Sequence, residues 1–155
     1  MLRHHFAAIA VAVALVAPAP ALQTDDMATA VIDAMNAERA AYGVAPLHVD
    51  PKLSAAAADR IADMFDGHYF SHKSPTGVQP WDWVEQEGYD YREVGENLAL
   101  GYPTAPEIVD GWMHSSGHRA NVLGAQFAEV GVAIAEGSPT HPYHGPTVVA
   151  IYGRR

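Results

Sequence analysis

The stretch Trp112-Met113-His114-Ser115-Ser116-Gly117-His118-Arg119-Ala120-Asn121-Val122-Leu123 puts two histidines, two serines, an arginine and an asparagine within twelve residues. On a continuous helix, the i, i+4 spacing of His114 and His118 sets both imidazoles on one face, within reach of one metal ion. The intervening Ser115-Ser116-Gly117 departs from H-E-x-x-H, and Gly117 breaks the helix, so exposed loop histidines fit the spacing as well. His68 and His72 repeat the pattern around Tyr69-Phe70-Ser71, with Gly67 as the interruption. Ser115 and Ser116 beside His118, with Glu96 as an orienting carboxylate, raise a nucleophilic reading. No G-x-S-x-G surrounds them, and serines at a helix end serve equally as caps.

Outward from this stretch the elements follow from their punctuation. Pro103 to His114 reads as a helix opened by the capping box Thr104-x-x-Glu107, with Ile108, Val109 and Trp112 inward. Before it, Val94 to Leu100 is a short apolar run around Glu96. A carboxylate there is either exposed on one strand face or held inside by a cation, a metal or a histidine. Asp25 to Tyr42 reads as a helix with Asp25 and Asp26 in its first turn and Val31, Met35 and Tyr42 on one face. Pro46 to Pro51 is a connection. Asp50-Pro51 marks an N-cap and first helical position, followed by an alanine-rich helix from Leu53 to Phe65 with Leu53, Ala57, Ile61, Met64 and Phe65 inward. Gly67 ends that helix. Residues 71–80 form a loop and Trp81 to Gln86 a short helix stopped by Gly88. Glu129 to Ala135 and Pro146 to Tyr152 read as strands. Trp81, Trp83, Tyr89, Tyr91, Trp112 and Tyr152 are core candidates, Trp83 and Trp112 having groove lining as the alternative. His48, His141 and His144 fall in loops.

Composition bounds the rest. A chain of 155 residues with 49% hydrophobic content supports one α+β domain of helices packed on an antiparallel sheet. A net charge of -9 repels phosphate backbones and anionic lipid, which argues against nucleic acid as a partner and against a basic membrane patch. Arg3, the apolar run Phe6 to Val16 and Ala19-Pro20-Ala21 have the order of a cleaved export leader. Residues 1–21 are therefore expected to be a signal peptide and residues 22–155 the mature domain, secreted or periplasmic and not inserted in a membrane after cleavage. There is no cysteine, so neither a disulfide framework nor a thiol nucleophile is available.

Taken in order, these pieces resemble one family. Asn36-Ala37-Glu38-Arg39 with Gly43, Pro46, Leu47, Asp50 and Leu53 is similar to the opening helix and turn of bacterial CAP domains, the superfamily of cysteine-rich secretory, antigen 5 and pathogenesis-related proteins. Phe70-Ser71-His72-Lys73-Ser74-Pro75-Thr76-Gly77 resembles their F-S-H-x-x-P-x-G loop. Gly88-Tyr89 and Gly95-Glu96-Asn97-Leu98-Ala99 resemble G-Y…G-E-N-[IL]-A, and residues 112–123 resemble W-M-x-S-x-G-H-R-x-N-[IL]-L. Glu129-Val130-Gly131-Val132-Ala133 matches the strand that follows. The likeness spans roughly residues 28–153 in register.

The resemblance implies a three-layer α-β-α sandwich with an antiparallel central sheet. It also implies a cleft built on His72, His118 and Glu96, in some members around zinc or another divalent metal. Ser115 stands where many eukaryotic members carry a second acidic residue. His114 stands where bacterial relatives often have asparagine, and either adds a ligand or faces solvent. Asn97, Arg119 and Asn121 are the expected structural support. Three functions follow as expectations. The first is a monomeric binding or cell-envelope interaction module for a small molecule, lipid or cell-wall component. The second is a zinc-dependent hydrolase using His72, His118 and Glu96. The third is a hydrogen-bonded His/Glu cluster that staples a domain without disulfides.

Overall fold

Strand β4, Thr147–Arg154, organises the molecule because it is buried along almost its whole length. Strand side chains alternate between faces. Val148, Ala150 and Tyr152 join one apolar cluster, and Val149 and Ile151 the other. A strand buried on both faces reads as a continuous apolar run, which is how residues 147–152 stand out in the sequence. The computed structural model describes residues 21–140 and 144–155. The expected leader, apart from Ala21, and His141 lie outside the described residues.

Along the chain run α1 (Ala21–Ala41), β1 (His48–Val49), α2 (Pro51–Asp66), α3 (Pro80–Gln86), β2 (Glu93–Leu100), α4 (Ala105–Met113), α5 (Ser116–Val122), β3 (Glu129–Ala135) and β4. The sheet order is β1-β3-β4-β2. β2 and β3 both pair antiparallel with β4, from Glu93↔Arg154 to Leu100↔Thr147 and from Glu129↔Gly153 to Ala135↔Thr147. β1 pairs parallel with β3, so the sheet is mixed and the expected wholly antiparallel sheet is corrected. The two residues of β1 need only His48 N–H to Ala128 C=O (2.9 Å) and Asp50 N–H to Val130 C=O (3.0 Å) to join the edge. Both side chains are exposed, so no apolar alternation announces the strand.

One layer consists of α1, α4 and α5, packing Val31, Met35, Ile108, Trp112 and Val122 on the sheet. The other consists of α2 and α3, packing Leu53, Ala57, Met64, Trp83 and Val84. The three-layer α-β-α sandwich is thus formed. Helix α1 begins at Ala21, so Asp25 and Asp26 lie beyond its first turn, and Tyr42 is exposed rather than inward. Asp50 caps α2 by accepting from Lys52 N–H and Leu53 N–H, with Pro51 opening the helix as expected. At α4, the Thr104 hydroxyl accepts weakly from Glu107 N–H (3.5 Å) and donates to the Glu107 carboxylate at 2.7 Å, so only half of the capping box forms. The helix break falls at His114-Ser115, and Gly117 lies inside α5.

The outer edge of β2 is closed by side chains. Trp112 Nε1 donates to Leu98 C=O at 2.9 Å, and Asn121 Nδ2 donates to Glu96 C=O at 3.1 Å. An unpaired edge is a template for another strand, and these bonds occupy it. They also fix α4 and α5 against the strand that carries Glu96.

Candidate functional site

Alternation along β2 separates neighbouring residues. Leu98 packs with the α2 layer, so Glu96, two residues away, shares that face, while Asn97 projects to the other. Glu96 is buried, with 4% of its side chain exposed, and needs partners. One oxygen accepts from Arg60 Nε at 3.1 Å and the other from His72 Nδ1 at 2.8 Å. Arg60 is a fully buried residue of α2. Its remaining nitrogens donate to the Tyr69 hydroxyl and to Ser71 C=O, while its plane lies 4.8 Å from the Trp83 ring centre. Tyr69 in turn donates to Asp63. Burial, and then the bond to Asp63, push the Tyr69 hydroxyl up to about 12, so it stays a donor. Arg60 therefore neutralises Glu96 and pins the loop that presents His72.

His118 reaches the same edge from the opposite layer. The His72 and His118 ring centres are 6.2 Å apart. Burial, and then the neighbouring His72 imidazole, hold His118 below the ordinary histidine value, so it is neutral at neutral pH. Its backbone is fixed by Asn97, whose Nδ2 donates to His118 C=O and to the Tyr152 hydroxyl, both at 3.0 Å. Asn121 Nδ2 donates to Asn97 Oδ1 at 2.8 Å. The Tyr152 hydroxyl donates to Met35 Sδ at 3.1 Å. The histidine pairs of the sequence do not meet as i, i+4 partners on one helix. His114 closes α4, exposed, with Nδ1 against Asp110 C=O (2.8 Å). His68 sits at φ +51° in the turn after α2. The imidazoles that come together are His72 and His118, from opposite layers.

Ser115 is the N-cap of α5, half-buried, and Ser116 is exposed. Among the described residues neither hydroxyl is hydrogen-bonded to His118, so no activated nucleophile is assembled. Arg119 stacks on Tyr42 at 5.0 Å and lines a separate surface hollow of about 480 Å³ with Met113, His114 and Leu123. Zinc or another divalent ion was the expected cofactor. The guanidinium of Arg60, 3.1 Å from Glu96, occupies the electrostatic place a cation would take. Among the described residues no three His, Asp or Glu side chains form a metal-holding group. Both Glu96 oxygens are engaged in this arrangement, one by Arg60 and the other by His72.

A groove of about 280 Å³ opens beside the cleft, lined by His72, Gln79, Pro80, Trp81, Val94, Gly95 and Glu96. Arg60, which holds Glu96, escaped the sequence reading, and Trp81, expected in the core, stands exposed instead. Arg60 lies on the apolar stripe of α2 at i+7 from Leu53 and i−4 from Met64, and a charge on that stripe was the signal. Trp81 stands two residues from Trp83 in a seven-residue helix, so only one of them turns inward. Trp83 and Trp112 are the core residues, while Trp81 is 44% exposed at the groove.

Residues 32–150 match the cysteine-rich secretory protein family, CAP. The chain is 42% identical over 106 residues to the Bacillus subtilis protein YkwD, and 33% identical over 104 residues to the membrane protein YlbC of the same organism. These matches cover 68% and 67% of the chain but only 41% and 30% of the relatives' own lengths. Among solved structures, an SCP-domain extracellular protein from Bacillus anthracis superposes with a TM-score of 0.75 at 24% identity, covering 90% of this chain and 45% of that one. An outer surface protein of Borrelia burgdorferi gives 0.72 at 18% identity, covering 84% and 93%. At such identities the likeness is one of fold. The family match, the register of the motifs and the sandwich agree: the chain belongs to the CAP superfamily, as a domain of the bacterial kind.

Proposed function

We propose that this chain is an extracytoplasmic binding module that anchors its ligand in the groove beside His72, Glu96 and His118. The observation that carries this is the division of labour in the cleft. Arg60 satisfies the buried charge of Glu96, and Glu96 orients a His72 whose side chain is 57% exposed at the groove. An oriented, half-exposed imidazole can donate or accept, which suits recognition. Hydrolysis by a metal on His72, His118 and Glu96 is disfavoured because both Glu96 oxygens already have partners. The same bonds tie α2 to β2 and to the 69–72 loop, so Arg60 and Glu96 carry stability while His72 is the part presented outward. Export is supported by the leader-like residues 1–21 and by the extracellular and outer-surface descriptions of the two structural neighbours.

The test is co-sedimentation of the full chain with isolated cell-wall sacculi and with phospholipid vesicles, beside His72→Ala. Retention that saturates and falls several-fold in the variant, at unchanged melting temperature, is expected. Equal retention of both proteins would remove the groove from the account.

A further inference from the structure

We infer that the groove takes one ring of a neutral saccharide, stacked on Trp81; this rests on the groove being the ligand site proposed above. Trp81 is the first reason. Pro80 opens α3, Trp83 turns into the core, and Trp81 is left among the few large hydrophobic side chains exposed on the described surface. An exposed indole offers a flat face with negative quadrupole, which attracts the polarised C–H face of a pyranose ring. Exposed aromatics at a concave site are the usual anchors of a ligand.

The remaining lining sets the ligand's polarity. Gln79 carries both donor and acceptor capacity, and His72, whose Nδ1 proton goes to Glu96, turns its Nε2 outward as an acceptor, so hydroxyls, which do both, find partners. An acyl chain has neither, and covering these groups with one would strip their water without replacement. Charge gives the next constraint. Glu96 is the one formally charged group in the lining, and Arg60 balances it at 3.1 Å. An anionic ligand meets no uncompensated cation in this lining, and a cationic one meets no free carboxylate. Size gives the last. About 280 Å³ lies just below the usual range for ligand pockets, roughly 300–1,000 Å³, and suits one ring of a longer chain rather than a lipid tail.

The experiment follows the Trp81 indole and the Gly95 amide by NMR in the full chain. The probes are cellotetraose and tetra-N-acetylchitotetraose (neutral), an oligogalacturonate of equal length (anionic) and phosphatidylcholine vesicles. Saturable shifts at both signals with a neutral tetrasaccharide are expected, and Trp81→Ala weakens binding at least tenfold. Trp81→Phe retains most of it, and neither variant changes the melting temperature, since Trp81 is not in the core. No shift with either neutral saccharide, or binding unaltered in a folded Trp81→Ala, overturns the inference. If the anionic oligomer or the vesicles alone shift Gly95, the neutral saccharide fails and the groove stands as a ligand site. If no probe shifts either signal, both readings fall.

Discussion

Glu96 holds two positively polarised partners at once, and they differ in what their loss would cost. Arg60 is buried with it, so Glu96→Gln leaves a buried guanidinium with only the half-exposed Asp63, 3.7 Å away, as countercharge. Breaking one partner of a buried pair costs about 3–5 kcal/mol. Urea unfolding should show a loss of that size for Glu96→Gln and for Arg60→Met. The double variant Arg60→Met/Glu96→Leu should lose less than the sum, because each side chain's penalty is the other's desertion. Additive losses would mean that the two residues are not energetically one unit. His118 makes a different prediction. Its folded-state value lies below the ordinary 6.5. The unfolded chain therefore binds more protons between the two values. Stability is full above about pH 6.5 and declines as pH falls toward the folded value. The urea midpoint should drop between about pH 7.5 and about pH 5, and the drop should be smaller in His118→Gln. Equal drops would assign the pH dependence to other groups.

At the scale of elements, α2 is held at its first turn and along its packed face. Burial pushes the Asp50 carboxyl up. The Leu53 and Lys52 N–H groups and the Arg155 guanidinium outweigh that and hold it below its ordinary value. Arg155 reaches Asp50 at 2.6 Å and Glu129 at 2.5 Å, closing the last residue of the chain onto the start of α2. Asp50→Ala should cost about 1–2 kcal/mol for the lost cap, measured by thermal unfolding at neutral pH. The difference from wild type should shrink in acid, where the depressed carboxyl is protonated in both states. Further along, Gly131 of β3 lies under the backbone of α2. A Cβ there would stand 2.0 Å from the Leu53 carbonyl carbon. Helix α2 has no room to retreat without unpacking its whole face, so Gly131→Ala should fold poorly or not at all. These elements were largely legible in the sequence. Asp50-Pro51, Thr104-x-x-Glu107 and the alternation of residues 129–135 are local signals, and helix starts and strands formed close to them. β1 was not legible, because two exposed residues between prolines carry no pattern and their pairing with β3 is long-range. The cleft was legible in part. His72, Glu96 and His118 were named through the family resemblance, whereas their geometry depends on Arg60, whose role emerges only once α2 is laid against β2.

Across the whole molecule, the two helical layers each bury one arginine, on opposite faces of the sheet, and the two are satisfied differently. Arg60 has a carboxylate. Among the described residues, Arg39 bonds only to carbonyls: Ala45 at 2.6 Å, Val122 at 2.8 Å, Gly124 at 3.0 Å and Phe127 at 2.9 Å. Burial lowers its pKa, with Tyr152 opposing. One side chain of α1 thus gathers the turn after its own helix, the end of α5 and the segment entering β3. In a chain without disulfides this is a non-covalent cross-link over more than eighty residues of sequence. Arg39→Met removes the charge but abandons four inward carbonyls, each worth about 1–3 kcal/mol when left unpaired. Water entering the gap recovers some of that, so a loss of at least about 3 kcal/mol in urea unfolding is expected, a large share of a typical 5–15 kcal/mol stability. Arg39→Lys should recover less than half, because a single ammonium cannot fork to four acceptors. Hydrogen exchange should locate the damage: amides of residues 123–135 lose protection well before those of α2 and α3, which hang on Arg60 instead. Uniform loss of protection would mean that the two layers unfold as one unit and that Arg39 is not a local tie.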